Sequence, residues 1–310
     1  MKTIRIIDGQ PQYLKEELGN SAGVRVKIRS SSICGSDLHM IQQGWAEGRV
    51  LGHEFAGTTD DGTAVTVEPN LGCGRCQHCR EGYRSHCDEG AQFIGVDLDG
   101  GMAEYALVPE AALFPLPTGI DLSSASLMEP LAVAAHGLNR ARVTDSDKVL
   151  IIGAGSIGLA AAAILCGRGM PFDMTARYDH QKAAAEQLGG NLQAGRGYDV
   201  VLDAVGTTDS IKESISRCRP MGRIAFVGTL WNPATLGLAF CAREVELIAA
   251  TTYRVGHSDG EFHEAGKLLA AKPHIAAVLI SHRFPLEAAV EAFATARDRA
   301  AGAIKVVFDV

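Results

Sequence analysis

Four cysteines fall within fifteen residues: Cys73, Cys76, Cys79 and Cys87, separated by 3, 3 and 8 positions. Closely spaced thiolates let one loop wrap a zinc ion tetrahedrally. Four sulfurs leave no position for water, so the expected role is structural. Gly72, Gly74 and Gly82 allow the tight backbone such a loop needs. A redox-active dithiol or a chance cluster is the weaker reading. His78 and His86 are possible substitute ligands, ranked lower because the sulfurs already close the shell. Arg75 and Arg80 would offset the charge of a four-thiolate site, or are ordinary surface residues.

A second set of residues suits an open metal site. Cys34, in Cys34-Gly-Ser-Asp-Leu-His39, and His53, in Gly52-His53-Glu54, are zinc-type ligands that only folding can bring together. A catalytic zinc takes about three protein ligands and keeps one position for substrate. The third ligand is expected from Glu129, in Met128-Glu129-Pro130-Leu131. It is a carboxylate in the apolar stretch 125–135, where a buried unpaired charge is costly. Singly, each has a plain explanation: an inert thiol, a core imidazole, a first-turn acid favoured by the helix dipole. Their joint occurrence beside a four-cysteine loop favours a site.

A third pattern is Gly153-Ala154-Gly155-Ser156-Ile157-Gly158, which follows the apolar run Val149–Ile152 and opens a helical segment. In that context the glycines permit a tight turn, close approach to a pyrophosphate and helix–strand packing, and the helix N-terminus offers its N–H groups to the anion. Ordinary Gly–Ala helix packing is the alternative. Val205, just past the apolar segment 199–204, is counted with this dinucleotide set. About twenty residues on, an acid would bind the ribose 2′-hydroxyl of NAD. The strand is expected to end near Thr175–Arg177, where Ala176 and Arg177 stand instead. A small residue followed by Arg accommodates a 2′-phosphate and favours NADP. Asp173 and Asp179 keep NAD open if the register slips by three.

The elements that must carry these residues follow from pattern and composition. The chain has 310 residues, 46% of them apolar, enough for about two domains with real cores and too apolar for disorder. The 35 glycines follow no collagen-like period. With 29 basic and 36 acidic residues, a net charge of −7 provides no field for nucleic acid or acidic membranes. The N-terminus lacks the apolar core of a signal peptide, and the eight cysteines fit a reducing, cytoplasmic setting. Residues 149–167 carry no charge and are barely long enough to span a bilayer, but the glycine turn accounts for them better. Short β-like runs such as 24–28, 64–68 and 105–108 mark a β-rich first region. Residues 123–140 read as helix. From 148 onward strands (148–152, 174–178, 199–204, 223–228, 244–251) alternate with helices (157–167, 180–188, 210–217, 261–271). This predicts a parallel sheet covered on both faces. The tail ends in a helix, 286–299, and a strand, 304–308.

Taken together, these motifs resemble the zinc-dependent medium-chain alcohol and polyol dehydrogenases, the sorbitol-type branch in particular. The matching segments are Cys34–His39, Gly52–Gly57, the loop 73–87, Met128–Val133 and Gly153–Gly158. The resemblance implies an α/β protein: a GroES-like β-rich catalytic domain (1–142 and 276–310) around a Rossmann doubly wound domain (143–275). It implies two zinc ions per chain, catalytic zinc on Cys34 and His53, and structural zinc on Cys73, Cys76, Cys79 and Cys87. Glu54 matches an acid that coordinates the metal or exchanges with its water. Glu129 falls where the sorbitol-type branch places a glutamate, so the resting ligand is Glu54 or Glu129. Ser36 and His39 match the proton relay. The implied reaction moves hydride between an alcohol, polyol or its carbonyl product and NADP, or NAD in the alternative. Sugars and cyclitols are candidate substrates, with Trp45 and the neighbourhood of Phe93 as contacts, and the implied assembly is a homodimer or homotetramer. One departure is the segment between Gly57 and Glu68, shorter than usual by a hairpin. A zinc-free quinone or enoyl reductase is disfavoured by the cysteines. A non-catalytic NADPH sensor is disfavoured by the intact relay.

Overall fold

The computed structural model describes residues 1–20, 22–256 and 260–310. It divides into two compact units, Met1–Glu129 with Arg254–Val310, and Pro130–Tyr253. The divisions fall at 129/130 and 253/254, where the sequence reading placed them at 142/143 and 275/276. Local packing explains the difference. Helix Met128–Arg140 lays Gly137 against Val227 and Leu202 of the parallel sheet. Helix Glu261–Ala271 instead packs Phe262 on Phe114, ring centroids 5.4 Å apart, in the β-rich unit.

The first unit is built on a seven-stranded sheet. Its central strand, Val24–Ser32, alternates buried Val26 and Ile28 with exposed Arg25, Lys27 and Arg29, then ends in three buried serines. The alternation seats one face on the core; the serines mark where the strand enters polar, buried surroundings. Strand Glu54–Thr59 pairs with it antiparallel, Glu54 opposite Ser32. On its other side lies the C-terminal strand Lys305–Asp309, Val307 opposite Ser32. The tail thus joins the same sheet as the N-terminal strands. The segment between Gly57 and Glu68 closes as a tight hairpin, Thr58 opposite Ala64, with Thr59 and Thr63 hydrogen-bonded across it.

The second unit holds a five-stranded sheet in the order Phe172–Thr175, Val149–Ile152, Tyr198–Asp203, Cys218–Phe226, Glu246–Ala249, every pair parallel. Helices Ser156–Arg168, Asp179–Gln187, Thr208–Arg217 and Leu238–Arg243 connect or flank the strands. The chain leaves the centre in one direction and returns to build in the other, so Val149–Ile152 and Tyr198–Asp203 flank the point where the order reverses. At the outer edge of Phe172–Thr175, Asn191 forms a one-residue parallel bridge with Asp173. The charge-free run 149–167 divides into a strand and a helix. Among the described residues no helix is long and apolar enough to cross a membrane.

Candidate active site

The sheet register assembles the first site. Cys34 precedes helix Gly35–Gln42, and its amide donates to Asp37 Oδ2 at 2.8 Å, which fixes the start of the helix. His53 stands just before strand Glu54–Thr59. Gly52 allows that approach: its φ is +98°, and a Cβ there would meet Met102 Cγ at 2.8 Å and Ser31 Oγ at 2.9 Å. Ligand atoms of Cys34, His53 and Glu54 lie within 4.8 Å of one another. Glu129, buried in the first turn of helix Met128–Arg140, falls outside that set.

Glu54 is fully buried and held by Lys305, whose Nζ lies 2.8 Å from each carboxylate oxygen. Ser32 Oγ donates to the same carboxylate, and Lys305 also donates to the Ile33 carbonyl at 3.3 Å. His53 Nδ1 and Asp37 Oδ1, both buried, face each other at 3.6 Å, and neither has a hydrogen bond among the described residues. Burial raises the Asp37 carboxyl to about 6, against the pull of His53. Burial would depress His53, but Cys34, Asp37 and Glu129 together hold it well above its usual value. Burial likewise opposes the charge on Lys305, and Glu54 and Cys34 outweigh it. Phe93 sets its ring edge-on to His53 at 5.4 Å.

The donor chemistry fits a zinc-type cation: a thiol, an imidazole backed by a carboxylate with an unmet buried oxygen, and a further carboxylate. Ser36 and His39 sit three residues apart on helix Gly35–Gln42, so they share one face. Burial lowers the His39 pKa, and Arg299 lowers it further. Trp45 is 67% exposed. Sequence reasoning quoted Asp37 without giving it a role and missed Lys305. A lysine inside the apolar strand 304–308 carries the same signal that singled out Glu129.

The cysteine loop closes on itself. Sγ atoms of Cys73, Cys76, Cys79 and Cys87 lie within 4.8 Å of one another. Backbone amides point at the sulfurs: Arg75 and Cys76 donate to Cys73 at 3.4 and 3.3 Å, Cys79 to Cys76 at 3.4 Å, and Cys73 to Cys87 at 3.3 Å. Amide donors, that of Asp88 first, pull the Cys76 thiol down to about 7. All eight cysteines are free. Four sulfurs in mutual contact, already served by N–H donors, suit a tetrahedral cation. Arg75 pairs with Glu89, and Arg80 donates to the Arg75 carbonyl, which leaves its charge beside the loop. His78 is engaged by Asp88 at 2.9 Å, and neither His78 nor His86 belongs to the cluster.

In the second unit the glycine turn sits at the carboxyl end of strand Val149–Ile152. Gly153 has φ +94°, and a Cβ on Gly158 would fall 1.8 Å from the Gly153 carbonyl oxygen, so only glycine permits this strand–helix approach. Val205 faces the turn across the switch point: a Cβ on Gly153 would meet its Cγ2 at 2.4 Å. Gly155 caps helix Ser156–Arg168, whose run through Ser156, Ile157 and Gly158 leaves first-turn amides for an anion; Ala154 lies buried behind them. Strand Phe172–Thr175 starts two residues before the expected 174–178 segment and ends at Thr175, the near limit of the expected Thr175–Arg177, so Ala176 is the first residue past it. Arg177 follows, exposed, its guanidinium 5.3 Å from the Tyr178 ring centroid. Asp173 is occupied inside the strand by Tyr198 and by Asn191 at 2.7 Å. Asp179 begins the next helix and pairs with Lys182.

A β-rich unit bearing a zinc-type ligand set, with a parallel-sheet unit bearing a dinucleotide turn, defines a zinc-binding, nicotinamide-dependent dehydrogenase. Comparison with known proteins agrees. Residues 20–118 match the alcohol dehydrogenase GroES-like domain family and residues 172–304 the zinc-binding dehydrogenase family. The chain is 32% identical to L-galactonate-5-dehydrogenase of Escherichia coli over 86% of each sequence. It is 30% identical to D-xylulose reductase A of Aspergillus oryzae, over 89% of this chain and 87% of the relative. The crystal structure of galactitol-1-phosphate dehydrogenase from Escherichia coli superposes with a TM-score of 0.89 at 27% identity, covering all of both chains. The chain belongs to the zinc-dependent medium-chain polyol dehydrogenases, and it is an oxidoreductase of alcohols or polyols.

Proposed function

We propose that this protein moves hydride between a secondary hydroxyl of a sugar alcohol or sugar acid, or the matching ketone, and NADP(H). The observation that carries the reading is the gathering of Cys34, His53 and Glu54 within 4.8 Å, with Asp37 behind the imidazole. Cys34, His53 and one carboxylate, Glu54 or Glu129, would hold catalytic zinc, and the four-cysteine loop a second ion. When bound, the zinc supplies Lewis acidity at the substrate oxygen and the nicotinamide accepts or gives hydride. The chain's own residues do the rest. Ser36 takes the hydroxyl proton, and His39, kept neutral near pH 7 by burial and by Arg299, receives it. Phe93 sets its ring edge-on against the imidazole and helps to fix its orientation.

NADP is favoured over NAD because the strand end carries Ala176 and Arg177 while both flanking acids are engaged elsewhere. The relatives named above act, by their names, on L-galactonate, D-xylulose and galactitol 1-phosphate, which supports an acyclic sugar derivative. Exposed Leu230, Leu236 and Leu238 in the second unit support a homodimer or homotetramer. The reading is tested by zinc analysis combined with NADP and NAD reduction across a panel of polyols, sugar acids and polyol phosphates. Two zinc ions and turnover on one class support it. Two zinc ions without turnover on any would favour the NADPH sensor.

A further inference from the structure

The first unit contains a cavity of about 540 Å³ lined by Gln10, Gly35, His39, Gln42, Arg297 and Arg299, among others. Among the described residues no carboxylate lines it. Of the acids that adjoin its lining residues in sequence, Asp37 Oδ2 accepts the Cys34 amide at 2.8 Å and Asp298 Oδ1 accepts the amides of Ala300 and Ala301 at 3.1 Å, while Asp8, next to Gly9, is exposed. Neither Arg297 nor Arg299 has a hydrogen-bond or ion-pair partner among the described residues. Arg5, Arg25, Arg75, Arg142, Arg219 and Arg223, by contrast, are each paired with an acid. Arg297 ends helix Ala289–Arg297, where a cation suits the dipole, but Arg299 lies beyond it and gains nothing there. The cavity is thus a donor-rich, positive pocket on a chain of net charge −7. One wall of it is helix Gly35–Gln42, which follows Cys34 in the chain and carries His39.

We infer that this pocket binds a phosphate group carried by a ligand of the enzyme, held by the Arg297 and Arg299 guanidiniums with the Gln10 and Gln42 amides. Guanidinium forks match phosphate oxygens, and a pocket without a carboxylate imposes no repulsion on a dianion. The inference deepens the dehydrogenase reading and rests on it for the ligand's identity. Two ligands offer the group: a polyol phosphate whose hydroxyl is oxidised, or the dinucleotide itself.

The test uses the zinc-loaded full chain and the exposed double substitution Arg297→Gln/Arg299→Gln. Inorganic phosphate is titrated calorimetrically into both. The wild type is expected to bind it, and the double variant to bind it about tenfold more weakly or worse. Arg297→Lys/Arg299→Lys is expected to recover part of the loss. Steady-state KM for a polyol phosphate and for its unphosphorylated parent, and Kd for NADPH, then assign the source. A rise of about tenfold confined to the polyol phosphate assigns the substrate, whereas a rise confined to NADPH assigns the dinucleotide. No phosphate binding by the wild type, or unchanged binding and constants in the double variant, overturns the inference. Phosphate binding needs no turnover, so a chain that binds phosphate but oxidises no polyol would fail the dehydrogenase reading alone.

Discussion

Lys305 Nζ lies 2.8 Å from both oxygens of Glu54, a residue 251 positions earlier in the chain. Both side chains are buried, at 2% and 1% exposure. Two pairings create the contact: Glu54 opposite Ser32, and Val307 opposite Ser32 from the other side. The last strand of the chain therefore sets the orientation of a carboxylate in the metal site. Replacing Lys305 with Met is expected to strand a buried carboxylate and cost about 3–5 kcal/mol in denaturant unfolding. Lys305→Arg, which keeps the charge, is expected to lose less. Equal midpoints for Lys305→Met and wild type would show that Glu54 does not depend on this lysine.

The two metal sites are expected to fail differently. His53→Ala should fold, lose one zinc and fall to background turnover, because it removes a ligand from the open site alone. Asp37→Asn should keep the ligand but leave its imidazole without a charged partner, lowering zinc affinity or kcat/KM by about 10–100-fold. Cys76→Ser should lower Tm more than either, since a structural ion contributes directly to folding. Zinc analysis with thermal unfolding on the three variants separates these outcomes. A Cys76→Ser protein with wild-type Tm and full zinc would remove the structural role.

What could be read from the sequence was chemistry at short range. Cysteines three apart and glycines around a turn declare their purpose locally, and the structure gathers all four sulfurs. The alternation of strands and helices gave the parallel sheet, because each element carries its own period. Lys305 was missed because its role depends on a three-strand register, and no local rule ties residue 305 to residue 54. Helix 261–271 has the bounds that its sequence pattern predicts, but an amphipathic face says that it packs and not on what; here Phe262 meets Phe114. Strand 172–175 starts two residues before the expected 174–178, and its acid, Asp173, is satisfied inside the sheet by Tyr198 and Asn191, partners that no local pattern reveals.

Cofactor preference is expected to turn on one exposed side chain. Arg177 follows the strand end at Thr175 and has Ala176 beside it, so it is placed to meet a 2′-phosphate. Arg177→Asp should replace attraction to that phosphate with repulsion and shift the ratio of kcat/KM for NADP over NAD down by roughly 10–100-fold. Because the residue is exposed, Tm should not change. A ratio unaltered by the substitution would place the determinant elsewhere.

Stability should also carry a pH signature from Glu68. This carboxyl is 5% exposed, and burial lifts it to about 7 from 4.5, against the pull of Arg84 and the Gly256 amide. The folded chain therefore keeps a proton that the unfolded chain has released. The stability this group contributes is fully present below pH 4.5 and is lost as pH rises through about 7. The shift corresponds to about 3 kcal/mol across that window. Glu68→Gln holds the neutral shape at every pH, so the variant should keep that stability at pH 8, while wild type and variant converge near pH 5. Urea unfolding of both proteins at the two pH values measures it. Parallel losses in wild type and Glu68→Gln would show that Glu68 titrates alike in the folded and unfolded chain.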